Sequence, residues 1–181
     1  MRNITLRVQK TVKIRQLTPD NYPKVSALLR QAFPGSAHEV QLVENLHQNG
    51  KPMHEWVCIH VNAVVAYIAF TRAYNGKAVC GLHLAPLAVK PEFQKQGIGS
   101  ELLRFALRQE VVKTDTIFVL GDPCLYRKFG FEPCVMPICP FDTNNAHFLS
   151  LRNPTVSQFT VGYEPEFALG AGKPKASGKK R

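Results

Sequence analysis

The residues from Leu82 to Gln109, LHLAPLAVKPEFQKQGIGSELLRFALRQ, restrict the fold more than any other part of the chain. They read as a strand, a glycine turn and a helix in direct succession. Leu84 to Val89 is apolar on both faces, as expected of a strand deep within a sheet. Pro86 interrupts it. Proline has no N–H for a ladder, so inside a sheet it belongs at an edge or a bulge. A bulge here leaves unpaired backbone groups available to something extended lying alongside. The turn Gln94-Lys95-Gln96-Gly97-Ile98-Gly99-Ser100 then sets two glycines one residue apart at a helix start. Such a backbone can approach a ligand closely and aim several N–H groups at it. Ile98, Leu102, Leu103 and Ala106 repeat at helical spacing, with Glu101, Arg104 and Arg108 marking the wet face. The positive end of that helix dipole points at whatever the turn holds. Together these features predict an anion site, for a phosphate or a pyrophosphate.

Two phosphate-binding designs do not fit. No Gly-Lys-Ser/Thr follows the glycines, which excludes a P-loop. A dinucleotide fingerprint needs a third glycine where Leu102 stands, and needs its glycines directly after the strand, whereas Lys90 to Gln96 intervene. A nicotinamide enzyme is therefore poorly supported, although Asp122 does follow the glycines at a strand end. What the residues present is Q-x-x-G-x-G after a Val-Lys-Pro strand end. This resembles the coenzyme-A motif of the Gcn5-related N-acetyltransferase (GNAT) family.

The rest of the chain can be read in order. VKIRQL (12–17) alternates as a first strand, and Thr18-Pro19-Asp20 is a helix start with Val25, Leu28, Leu29 and Ala32 as its buried stripe. Ser36 and Glu39 have capping-box spacing before a second helix carrying Val40, Val43 and Leu46. EWVCIHV and VVAYIAFT predict an antiparallel hairpin turning at Asn62-Ala63, and Tyr74-Asn75-Gly76-Lys77 is a second turn. After the central helix, TIFVLGD returns as a parallel strand through a right-handed crossover. Pro123 opens a short helix ended by Gly130, followed by the β-like runs PCVMPIC, AHFLSL and QFTVGY.

This element order, β-α-α-β-β-β-α-β-α-β-β, matches that of the same family. Tyr126-Arg127-Lys128-Phe129-Gly130-Phe131 is similar to its Y-x-x-x-G-F segment. The ending Gly162-Tyr163-Glu164-Pro165-Glu166-Phe167 and the LAPLAV strand look most like the bacterial YhbS-like branch. The resemblance covers residues 12 to 168. It implies an α/β (α+β mixed) GNAT acyl-CoA N-acyltransferase fold. That fold has a central, mixed, mostly antiparallel sheet, a bulged fourth strand and helices on both faces.

The resemblance also implies roles. Acetyl-CoA is the expected cosubstrate and a primary amine the acceptor, by direct transfer in a ternary complex. A non-catalytic acyl-CoA-binding sensor is the alternative. The pyrophosphate is assigned to Gln94, Lys95, Gln96, Gly97, Ile98, Gly99 and Ser100, with Arg127 or Lys128 near other phosphates. The pantetheine arm is assigned to the backbones of Leu87, Ala88 and Val89. The Leu87 N–H is the expected polariser of the thioester carbonyl, and Tyr126 the general acid for the leaving thiolate. A phenol near pKa 10 and a thiol near 8.5 are close in basicity. For the base the sequence offers His83, whose residue type suits neutral pH, or Asp122. The family's usual asparagine at the end of the fifth strand is missing. Its acceptor side corresponds to His38–Pro52 and Met136–Phe159.

Composition sets outer bounds. The length suits one domain over 1–169. The last twelve residues, GAGKPKASGKKR, carry five Lys or Arg and no acid, half of the net charge of +10. That segment, 170–181, is expected to be a disordered basic tail. Contact with nucleic acid is expected only there, and only non-specifically. No apolar run suggests a membrane span, and no signal peptide is evident. The five scattered cysteines suit reduced thiols and a cytoplasmic location. Cys134, Cys139 and His147 match no zinc spacing, so no metal is expected. A homodimer is left open.

Overall fold

The computed structural model describes residues 11–142 and 144–168. The basic tail and the boundary at 169 lie outside the described residues. The strands are β1 (Lys13–Gln16), β2 (Met53–His60), β3 (Ala63–Asn75), β4 (Ala78–Val89), β5 (Ile117–Leu120), β6 (Glu132–Pro133) and β7 (Phe148–Leu151). The helices are α1 (Tyr22–Ala32), α2 (His38–Gln48), α3 (Ile98–Ala106) and α4 (Pro123–Tyr126). The sheet runs β1-β2-β3-β4-β5-β7-β6, and β4–β5 is its parallel pair, joined through α3. The other neighbours are antiparallel.

Period-2 alternation along β3 divides the core into two layers. Ala66, Ile68 and Phe70 face the stripe Ile98, Leu102, Leu103 and Ala106 of α3. Tyr67 and Ala69 face Val25, Leu28, Leu29, Val40 and Val43 of α1 and α2. The two stripes expected from helical spacing are thus the two faces' covers. Every residue of β3 from Val64 to Ala73 except Arg72 is buried, which fixes the middle of the sheet.

Local expectations need three corrections. The β2–β3 turn is Val61-Asn62, not Asn62-Ala63: His60 pairs with Ala63, and Val61 and Asn62 have φ of 43° and 63°. Both lie in the left-handed region that a two-residue hairpin turn requires. The α2 start is not a reciprocal capping box. The Ser36 hydroxyl donates to Glu39 Oε2 at 2.6 Å, so the two side chains satisfy each other, and Ser36 accepts only a 3.3 Å bond from His38 N. Of the late β-like runs, AHFLSL supplies β7, PCVMPIC supplies only Pro133 to β6, and QFTVGY makes isolated bridges, Ile138↔Thr160 and Tyr74↔Gly162. Pro133 and Pro137 remove N–H donors from the first of these runs.

Among the described residues no helix is long and apolar enough to cross a membrane.

Candidate active site

The site begins where the parallel pair comes apart. β4 and β5 pair only at Leu82↔Ile117 and His83↔Phe118, while β4 stays paired with β3 as far as Val89. Between them the β3–β4 register slips: Ile68 faces Leu87 but Phe70 faces Leu84, so Ala85 and Pro86 share the span opposite Ala69. The N–H of Lys90 donates to Val65 O on β3 at 2.9 Å. Backbone groups alternate sides along a strand, so those of Val89 and Leu87 face away from β3, into the opening.

At the far end of β4 sits the glycine turn. Gly97 has φ of 85° and Lys95 of 57°, and α3 begins at Ile98. Gln94 Nε2 donates to Val89 O at 2.9 Å and ties the turn to the strand. Gly99 packs closely on the strand: a Cβ there would meet Val89 Cγ2 at 3.0 Å, so that methyl group would have to give way. A cavity of about 490 Å³ lies over this turn. Leu87, Val89, Gln94, Lys95 and Gly97 to Ser100 line it, together with Lys128. Two expected cofactor residues do not. Ala88 is turned by strand alternation into the α1/α2 core layer, and Gln96 is held by its Nε2–Glu92 O bond of 2.8 Å. Phe93, Leu125 and Phe129 add apolar walls that local sequence did not suggest.

A second cavity of about 490 Å³ opens on the other side of the β4 irregularity. Its lining includes His83 to Leu87 of β4 and Phe118 and Leu120 of β5, with His38, Glu39 and Leu42 of α2. Phe33, Phe141, Tyr163 and Phe167 complete it. Leu87 and Tyr126 line both cavities, and so mark where they meet.

Tyr126 stands at this junction because Asp122 accepts a 2.8 Å bond from Cys124 N and starts α4. Its ring packs edge-on against Phe131, with centroids 5.6 Å apart. Burial pushes the phenol up to about 12. It is therefore a neutral hydrogen-bond donor at physiological pH. It is also a weaker acid than the unperturbed phenol considered from sequence.

The two base candidates sit differently. Asp122 is spent on the helix cap and lines neither cavity. His83 lines the second cavity but is buried, with Nε2 3.0 Å from Gly162 O and its ring stacked on Tyr163 at 3.6 Å. The carbonyl fixes Nε2 as the donating nitrogen. Burial lowers the imidazole to about 4. Both observations favour a structural role for His83.

Comparison with known proteins agrees with this geometry. Residues 51–133 match the acetyltransferase (GNAT) domain family. The chain is 36% identical over 106 residues to the uncharacterized N-acetyltransferase YjhQ of Escherichia coli K12, covering 55% of this chain and 59% of YjhQ, less than two thirds of that relative. It is 33% identical over 122 residues to the uncharacterized N-acetyltransferase YhbS of the same strain, covering 66% of this chain and 72% of YhbS. The crystal structure of Escherichia coli YhbS in complex with CoA superposes with a TM-score of 0.79 at 27% identity, covering 87% of this chain and 92% of that one. A GNAT family acetyltransferase from Brucella melitensis in complex with acetyl-CoA gives 0.73 at 27% identity, covering 87% and 99%. The chain belongs to the GNAT family, as a YhbS-like member.

Proposed function

We propose that the protein is an acetyl-CoA-dependent N-acetyltransferase that moves the acetyl group directly to a primary amine within a ternary complex. The observation that carries this is the meeting of two cavities at Leu87 and Tyr126. The cavity over the glycine turn is lined by Lys95 and Lys128 and by no acid, which suits the phosphates of the coenzyme. The YhbS and Brucella structures, bound to CoA and acetyl-CoA, support the same cosubstrate here.

In this reading the pantetheine amides pair with the outward backbone groups of Val89 and Leu87. The Leu87 N–H donates to the thioester oxygen as charge develops there. The neutral amine attacks the carbonyl carbon from the second cavity. A C–N bond forms, the C–S bond breaks, and the proton that the nitrogen gives up passes through water to the departing sulfur, which leaves as the free thiol. Tyr126 donates a hydrogen bond to the departing sulfur. Full transfer of a proton from a phenol near 12 to a thiolate whose acid is near 8.5 is strongly uphill, so Tyr126 acts chiefly by stabilising the thiolate. No cysteine lines either cavity among the described residues, which supports direct transfer over an acyl-enzyme.

Thiol release from acetyl-CoA with a panel of amines tests the reading, beside calorimetric titration with CoA. Intersecting initial-rate lines are expected when both substrates are varied. Parallel lines overturn direct transfer. CoA binding without thiol release from any amine makes the protein an acyl-CoA sensor instead.

A further inference from the structure

The two cavities differ in charge as well as place. The second one carries a single formal charge among the residues lining it, the carboxylate of Glu39, and neither Lys nor Arg. Glu39 has one oxygen on the Ser36 hydroxyl at 2.6 Å. It has no ion-pair partner among the described residues. Apart from the imidazoles of His38 and His83, the remaining wall is aromatic and aliphatic. Phe141 stands edge-on to Tyr163 with centroids 4.9 Å apart, and Tyr163 meets Phe167 at 5.0 Å. Phe141 and Leu120 form the exposed rim, at 45% and 44% exposure.

From this we infer that the acceptor is a monocationic primary amine on an apolar, aromatic-sized body, without a carboxylate beside the amine, and that Glu39 selects it. The inference rests on the second cavity being the acceptor cleft. An ammonium group finds one carboxylate and several aromatic faces, both attractive to a cation. The apolar body removes rim and wall surface from water. An amino acid brings a carboxylate into a cleft with an acid and no cation to balance it, so it must desolvate that charge unpaired and against repulsion. A polyamine brings a second ammonium that only aromatic and aliphatic walls receive. The same cleft therefore attracts one class and rejects two neighbours of it.

Matched probes separate these cases: phenethylamine, L-phenylalanine and 1,5-diaminopentane, each titrated calorimetrically into protein saturated with CoA. Phenethylamine is expected to bind at least about tenfold more tightly than either of the others. Glu39→Gln should weaken phenethylamine about tenfold and leave CoA affinity unchanged. Phe141→Ala, on the exposed rim, should weaken phenethylamine more than diaminopentane. Equal affinity for phenethylamine and phenylalanine overturns the inference, as does an unaffected Glu39→Gln variant or failure of all three amines to bind. Loss of CoA binding by the parent protein instead overturns the cofactor reading. Selective amine binding without thiol release leaves the acceptor class standing and removes turnover.

Discussion

His83 and Tyr163 lie ring on ring, with centroids 3.6 Å apart and planes within 9° of parallel. The contact joins β4 to a segment eighty residues later, and the His83–Gly162 bond of 3.0 Å secures the same junction. A buried imidazole held neutral in this way makes stability depend on pH. Its folded value is about 4, against about 6.5 when unfolded, so the unfolded chain takes up a proton first as pH falls. The contribution is complete above pH 6.5 and is lost progressively down to pH 4, to about 3 kcal/mol. Urea unfolding of wild type and His83→Gln across this range should show the wild-type curve falling more steeply by that amount. Parallel curves would show that His83 is not held neutral.

Tyr126 and Gly121 form a second dependent pair. A Cβ at Gly121 would lie 2.6 Å from Tyr126 Cε2, so Gly121→Ala must displace the ring at the cavity junction. Gly121 acts as a positioning residue in this account. Tyr126→Phe is expected to lower kcat by about a hundredfold, the usual effect of removing one hydrogen-bond donor to a charge that develops in the reaction. Gly121→Ala should lower kcat by about tenfold or more, with the affinity for CoA changed by less than about twofold. Because burial holds the phenol near 12, the kcat profile should show no limb from Tyr126 between pH 7 and 10. A matched rise in KM for acetyl-CoA, without a fall in kcat, would remove Tyr126 from the chemistry.

The β2–β3 hairpin holds a valine where the backbone disfavours one. Val61 has φ of 43° and is 83% exposed, so its side chain returns little packing for the left-handed conformation. Asn-Gly is the pair that such turns prefer. Replacing Val61-Asn62 by Asn-Gly should stabilise the fold by about 1 kcal/mol, roughly 3 °C in Tm for a chain of this size. Calorimetry checks this directly, and an unchanged or lower Tm would show that the turn is not strained.

The elements around the cavity over the glycine turn are legible in sequence because they are contiguous. Strand, glycine turn and helix follow one another from Leu84 to Ala106, and local rules about proline, glycine and helix dipoles apply to each. Where those rules overreached, the cause was geometric: Ala88 belongs to the motif in sequence, but alternation turns it into the core. The second cavity obeys no such rule. Phe33, Glu39, Phe118, Phe141 and Tyr163 come from five separate segments, and no period or spacing links them. His83 illustrates the same limit. Its residue type suggested a base, and only the Gly162 carbonyl, distant in sequence, shows how it is held.

One wall of the second cavity is anchored by a charge cluster that offers a further test. Lys51 Nζ lies 3.0 Å from Glu164 Oε2 and 3.8 Å from Glu166 Oε1, and both glutamates are buried. Tyr74 donates to Glu164 at 2.7 Å and Asn49 to Glu166 at 2.7 Å, while Glu166 Oε2 is buried with no partner. These contacts hold the turn Pro165–Ala168, which carries Phe167 into the second cavity. Removing the lysine leaves two buried carboxylates facing one another, which is costlier than losing the attraction alone. Lys51→Met should destabilise the fold by about 2 kcal/mol, less than the roughly 3–5 kcal/mol for breaking a fully buried pair, because Lys51 is partly exposed. Adding Glu166→Gln should recover part of this by removing one uncompensated charge. The amine KM should rise in the single variant while the acetyl-CoA KM holds, since Phe167 lines the second cavity and not the one over the glycine turn. A double variant no more stable than the single one would show that charge repulsion is not what the lysine relieves.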